Sequence, residues 1–194
     1  MSASLRILLA DDDAALVALY AKMLKALGNT VVATASDGVE LIAKCREHHP
    51  DLVITDIKMG DLDGIEAARQ ICQTEAVPIL FVSGYSDTEL IERAQSDYVL
   101  GYLIKPVRKA DLEAAIAIAM GRFQEFQILR MEADHYRQTL AHRKLIERAK
   151  GILMTKAGLG EADAFARLQG LARDKQQKLV EIAETIITAD GILR

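Results

Sequence analysis

Cysteine, proline and long apolar runs are scarce in this sequence of 194 residues, and each scarcity excludes something. The two cysteines, Cys45 and Cys72, fit no metal-binding or dithiol spacing, which argues against a disulfide scaffold or a zinc module. No run approaches the ~18 consecutive apolar residues of a membrane span, so no membrane partner is expected. The opening MSASLRILLADDD carries an apolar stretch too short for a secretory signal, and three aspartates close it. A reduced, cytoplasmic setting is the expectation. The three prolines, Pro50, Pro78 and Pro106, all lie in the first part of the chain. The whole is 51% hydrophobic and 27% charged with net charge −4, a globular rather than a disordered composition.

The charge is unevenly divided. Residues 1–121 hold 18 acidic and 11 basic side chains, whereas residues 122–194 hold 10 acidic and 13 basic. The shift, with the loss of proline, suggests an acidic unit of mixed structure at 1–121. A helical or coiled-coil linker would follow at 122–141, then a small, mildly basic, all-α unit of three helices at 142–194.

Within the first unit, apolar runs recur at Leu5–Ala10, Thr30–Ala35, Leu52–Thr55, Ile79–Val82 and Gly101–Ile104. Each has strand length and is bounded by Gly, Pro, Asp or Asn. Between them apolar residues take helical spacing: Leu16, Leu19, Tyr20, Met23, Leu24 and Leu27 before Gly28, then Leu41, Ile42 and Cys45, then Ile65, Ala68 and Ile71. Near-continuous apolar strands alternating with helices predict a parallel sheet covered on both faces. The fold class is therefore α/β, a flavodoxin-like, doubly wound, five-stranded sheet.

Ligands of such sheets bind beyond the carboxyl ends of the strands. There this sequence places Asp11, Asp12 and Asp13 after strand one, Asp56 after strand three, Ser83 after strand four and Lys105 after strand five. Clustered carboxylates repel one another, and a hard divalent cation such as Mg²⁺ relieves that repulsion. A carboxylate can also attack phosphorus and become an aspartyl phosphate. A lysine would then neutralise the transferred group, and a serine hydroxyl could donate to one of its oxygens. Taken singly, an Asp is an ordinary helix cap or turn residue. The joint placement at one sheet edge is what favours chemistry.

The stretches LRILLADDD, PDLVITDIKMGDLDGIE, VPILFVSG and GYLIKP resemble the receiver domain of bacterial two-component response regulators. The resemblance implies that Asp56 is the phosphoacceptor, and that Asp12, Asp56 and the backbone carbonyl of Lys58 bind Mg²⁺ directly, with Asp11 acting through water. It further implies that Ser83 and Lys105 hold the phosphoryl group and that Tyr102 is an aromatic switch. Gly60 departs from the family's usual proline, which suggests a looser loop after Asp56.

From Ala110 to about Met154 there is no proline, and the only glycines are Gly121 and Gly151. A helix of that length would span roughly 68 Å. Phe126, Leu129, Ala133, Tyr136 and Leu140 repeat at alternating spacings of three and four, the seam of a coiled coil. This seam is out of phase with Ile116, Met120 and Phe123, so a stutter or break near Gly121 is expected. A homodimer, at least when activated, follows from the seam. The plain alternative is a helix packed back on its own unit.

Three helices are readable in the C-terminal unit. The first carries Leu145, Ile146, Ala149, Ile152 and Leu153 within one ~120° arc. The second starts near Glu161 and carries Ala164, Phe165, Leu168, Leu171 and Ala172, with Phe165 expected in the core. The third carries Leu179, Ile182, Ala183, Ile186 and Ile187. Away from the apolar arc, Arg143, Lys144, Arg148 and Lys150 form basic stripes, suited to phosphate contact or simply to solvent. The run LAHRKLIERAKGILMTKAGLGEADAFARLQGLARDKQQKLVEIAETIITADGIL resembles an ANTAR domain, an RNA-binding module of antitermination regulators. With the receiver, the arrangement is similar to the AmiR/NasT type. Members bind paired RNA stem-loops in leader transcripts as dimers, which implies Arg143, Lys144, Arg148 and Lys150 as RNA contacts. Gln176, assigned to the third helix, stands where the resemblance leads one to expect Asn, and a base-reading role would make loop preference differ here.

The expected function is a non-enzymatic response regulator, phosphorylated by a sensor histidine kinase, that binds leader RNA hairpins and prevents termination. The rivals are a signalling adaptor whose helical half binds a protein, and an antiterminator controlled by sequestration rather than by Asp56.

Overall fold

The structure is a computed structural model and describes residues 4–84 and 99–192. Two compact units, Met1–Gln127 and Ile128–Arg194, divide the chain.

In the first unit, β1 (Arg6–Ala10), β2 (Thr30–Ala35), β3 (Leu52–Asp56), β4 (Ile79–Ser83) and β5 (Val99–Ile104) form one parallel sheet in the order β2-β1-β3-β4-β5. β3 and β4 are buried along their whole length, which is why they read as unbroken apolar runs. Strand side chains alternate between two cores. Leu8, Val53, Ile79 and Phe81 face α2 (Gly38–His48) and α3 (Gly64–Thr74), through Leu41, Cys45, Ala67 and Ile71. Ile7, Leu9, Ile54, Leu80 and Val82 face α1 (Ala14–Ala26) and the start of α4 (Lys109–Ala157), through Tyr20, Leu24, Leu112 and Ile116. The sheet is doubly wound, as the sequence predicts.

Aspartate starts each of the first three helices. Asp13, Asp37 and Asp63 accept hydrogen bonds from the backbone N–H groups of Ala15, Glu40 and Glu66 at 2.8, 2.8 and 2.7 Å, satisfying donors that the helix leaves open. Asp13 is thus a helix cap, and its own amide donates to Asp11 Oδ1 at 3.0 Å.

α4 is helical over all of its 49 residues. The break expected near Gly121 is absent. Glycine weakens a helix by only about 1 kcal/mol, and a Cβ at Gly121 or Gly151 would meet nothing within 4 Å.

The second unit packs the end of α4 against α5 (Glu161–Lys175) and α6 (Leu179–Ile192). Its core is narrow: Ala149, Leu168, Ile182 and Ala183, flanked by Leu145, Ile146, Leu153, Leu171, Leu179 and Ile186. Two expectations are corrected here. Phe165 is not core but 39% exposed, because the buried strip of α5 is Ala164 and Leu168, one turn apart, and the next residue rotates ~100° away. Gln176 lies not in the third helix but at the left-handed C-cap of α5, with φ 53°. Asn is favoured in that conformation for backbone reasons alone. Among the described residues no helix is long and apolar enough to cross a membrane.

Candidate functional site

Four strand ends converge beyond the carboxyl edge of the sheet. β1 delivers Asp11, which is 2% exposed, and Asp12, which is exposed; β3 delivers Asp56, 7% exposed. Each of these three acids offers a carboxylate oxygen to a cluster whose atoms lie within 4.8 Å of one another. Lys105, just past β5, places its ammonium 2.9 Å from Asp11 Oδ2 and 2.6 Å from Asp56 Oδ2. The Lys105 amide donates to the Ser83 carbonyl at 2.8 Å, tying the tips of β4 and β5 together.

Three carboxylates against one ammonium leave two negative charges in a largely buried space. All the donors are hard oxygens, the set a divalent cation such as Mg²⁺ prefers. Burial pushes the Asp56 carboxyl up, and the hydrogen bond and charge of Lys105 oppose that rise. Burial works against the Lys105 charge as well, but hydrogen bonds to Asp56 and Asp11 outweigh it and lift its pKa to about 12. The Lys105 ammonium therefore stays charged beside Asp56. Asp56 Oδ1 also accepts from the Ile57 amide at 2.7 Å, leaving its position well defined.

Ser83 adds a second observation. Its hydroxyl is fully buried and has no hydrogen-bond partner among the described residues. A buried polar group without a partner is costly, so this hydroxyl suits a ligand oxygen. Tyr102, in register with Phe81 on the neighbouring strand, is half-buried and stacks on it at 5.7 Å. Lys58 stands two residues past Asp56 with its side chain exposed.

Two glycines shape the loop after Asp56. Gly60 has φ +52°, a left-handed conformation closed to proline, whose ring holds φ near −65°. The departure from the family's proline thus comes with a distinct turn. Gly64 was not singled out by sequence. A Cβ there would lie 2.0 Å from the Asp56 carbonyl oxygen, so only glycine lets α3 start this close to the acid. The Asp-Gly pair at 63–64 is the signal that could have found it.

In the second unit, Arg143, Lys144 and Arg148 are exposed and make no ion pair or hydrogen bond among the described residues. Lys150 differs. Its side chain is only 12% exposed, and its ammonium is held by Glu147 at 2.6 Å and Glu161 at 2.8 Å. The seam residues Leu129, Tyr136 and Leu140 are 64%, 67% and 59% exposed. Phe126 is half-buried.

A response regulator receiver domain model matches residues 7–117, and an ANTAR domain model matches residues 134–187. The chain belongs to the response regulators, with an ANTAR output domain of the RNA-binding class; this is a regulatory kind of protein. It is 39% identical over 186 residues to the transcriptional regulatory protein PdtaR of Mycobacterium tuberculosis, covering 96% of this chain and 91% of that one. Among solved structures, it is similar to a response regulator receiver domain protein from Clostridium thermocellum, with 31% identity, TM-score 0.57, and coverage of 62% of this chain and 98% of that one. A LuxR-family two-component response regulator from Aurantimonas sp. SI85-9A1 gives 30% identity and TM-score 0.57, over 61% of this chain and 86% of that one.

Proposed function

We propose that this protein is a phosphorylation-controlled antiterminator, acting in the cytoplasm, in which a phosphoryl group on Asp56 governs capture of RNA hairpins by the C-terminal unit. The observation that carries the reading is the buried Asp56 carboxylate, paired with Lys105 at 2.6 Å beside two further acids and a Ser83 hydroxyl with no partner among the described residues.

A sensor histidine kinase is the donor. A carboxylate oxygen of Asp56 bonds to phosphorus as the P–N bond of the kinase's phosphohistidine breaks and the imidazole leaves. Asp11, Asp12, Asp56 and the Lys58 carbonyl would hold Mg²⁺, which supplies charge neutralisation for the incoming anion. The phosphoryl group adds about −1.5 to −2 charge and strong acceptor oxygens. Lys105 has three donors and spends two on Asp11 and Asp56. Ser83 turns its idle hydroxyl to the new oxygen and draws the tip of β4 inward. Tyr102 carries the shift outward, because its ring rests on Phe81, two residues before Ser83.

The output rests on Arg143, Lys144 and Arg148, whose charges no carboxylate neutralises within the described residues. Exposed cations on a helix contact phosphates without sequence preference. The Phe126–Leu140 seam supports a homodimer, so two output units would hold two hairpins of one leader transcript and raise the effective concentration of the second contact. The receiver at 1–121, linker at 122–141 and output unit at 142–194 belong to this proposal.

Filter binding of leader-transcript hairpins to the full chain, with and without acetyl phosphate and Mg²⁺, tests it. Acetyl phosphate is expected to tighten binding by the unaltered protein and to leave Asp56→Asn unchanged. Equal, salt-insensitive binding in both states would overturn the reading.

A further inference from the structure

Phe165 is an aromatic that the narrow core of the second unit leaves out. It lines a surface hollow of about 490 Å³ with Glu147, Lys150, Glu161 and Ala162. Glu147 and Lys150 lie on one stripe of α4 with Arg143, at spacings of four and three. The hollow therefore combines a flat apolar face, two carboxylates sharing one ammonium, and a free guanidinium one turn away.

The occupant must fit that chemistry. A phosphate would be repelled by the excess carboxylate. An aliphatic side chain would cover Phe165 and leave the carboxylate oxygens without donors. A cationic side chain of a partner protein would suit the carboxylates, but Arg143, Lys144 and Arg148 on the same helix would repel it. An unpaired base has a π-face for the ring and N–H groups for the carboxylates, and its backbone phosphates suit the flanking cations. Single-stranded loops are read in this way, by stacking on aromatics and by hydrogen bonds to base edges.

We propose that this hollow holds one splayed base of the RNA loop, with Phe165 as its stacking platform and the Glu147–Lys150–Glu161 ion-pair set reading N–H donors on its edge. Lys150 then sets the position of the two carboxylates and gives up no charge to the backbone. This inference rests on the RNA-binding reading above, and its test separates the two.

The probe is a pool of hairpin RNAs with a randomised loop, selected on the full-length protein. The unaltered protein is expected to enrich one base over the other three at a single loop position. Phe165→Ala is expected to lose that enrichment and about tenfold in affinity, with an unchanged salt slope, while Phe165→Tyr keeps both. An abasic nucleotide at the enriched position, offered to the unaltered protein, should cost as much as Phe165→Ala and add nothing to it. That arm is independent of how well the variant folds. Selection of the same loops at the same affinity by Phe165→Ala overturns the pocket and leaves RNA binding standing. Failure of the unaltered protein to retain any hairpin overturns both. If Phe165→Ala changes only the sedimenting mass, the hollow is an interface between copies and the inference falls.

Discussion

Lys105 Nζ stands 2.6 Å from Asp56 Oδ2 and is the counter-charge for the most buried pair of acids among the described residues. Asp11 Oδ2 shares it at 2.9 Å. Lys105→Ala removes that charge and leaves the two acids facing each other. Without metal, a stability loss of about 2 kcal/mol is expected, below the ~3–5 of a fully buried pair because the Lys105 side chain keeps 23% exposure. A divalent cation should compensate, since ligand binding stabilises the folded state that holds it. Thermal melts with and without Mg²⁺ check this. The melting temperature should rise more in Lys105→Ala than in the unaltered protein; an equal rise would contradict the shared site.

Gly64 and Gly121 separate close approach from mere helix propensity. Gly64→Ala drives a methyl group against the Asp56 carbonyl, 2.0 Å away, and is expected to destabilise by roughly 1–3 kcal/mol. Gly121→Ala fills open space on α4 and is expected to stabilise by about 0.5–1 kcal/mol. Urea unfolding of the two variants should move in opposite directions.

The strands and the acids at their tips were legible because two-sided burial forces continuous apolar runs, and ligand sites follow from where such strands end. The misses have physical reasons too. Gly64 depends on a carbonyl eight residues back in sequence, a contact only the folded loop creates. Lys150 reads as a surface cation until α5 brings Glu161, eleven residues on, to its ammonium. Phe165 fits the apolar period of α5, yet a small three-helix unit buries only a narrow strip. Gln176 is an unusual left-handed cap, so nothing in its type announced the helix end. That the Ser83 hydroxyl lacks a partner among the described residues depends on what surrounds it, which no motif carries.

The exposed seam on α4 supports assembly. Leu129→Glu with Leu140→Glu puts like charges on a coiled-coil face and should yield a monomer in sedimentation, whereas the unaltered chain is expected to sediment as a dimer. The same mass for both would remove the seam as the interface.

Acid should erase one surface contribution. Hydrogen bonds from Arg69 and Gln70 hold the Glu66 carboxyl down at about 2, against an ordinary value of 4.5. A depressed acid stabilises the fold above its unfolded pKa and loses that contribution as pH falls through its folded one. The stability difference between the unaltered protein and Glu66→Gln should be full above about pH 4.5 and vanish by about pH 2. Urea melts across that window check it, and a difference growing on acidification would contradict the pairing.

The most direct measurement is intact-mass spectrometry of the full chain after incubation with acetyl phosphate and Mg²⁺. A gain of a single phosphoryl mass is expected, dependent on Mg²⁺, mapped to Asp56 after hydride trapping and absent from Asp56→Asn. A protein that stays unmodified, or an Asp56→Asn chain that gains the same mass, would contradict the claim that Asp56 receives the signal.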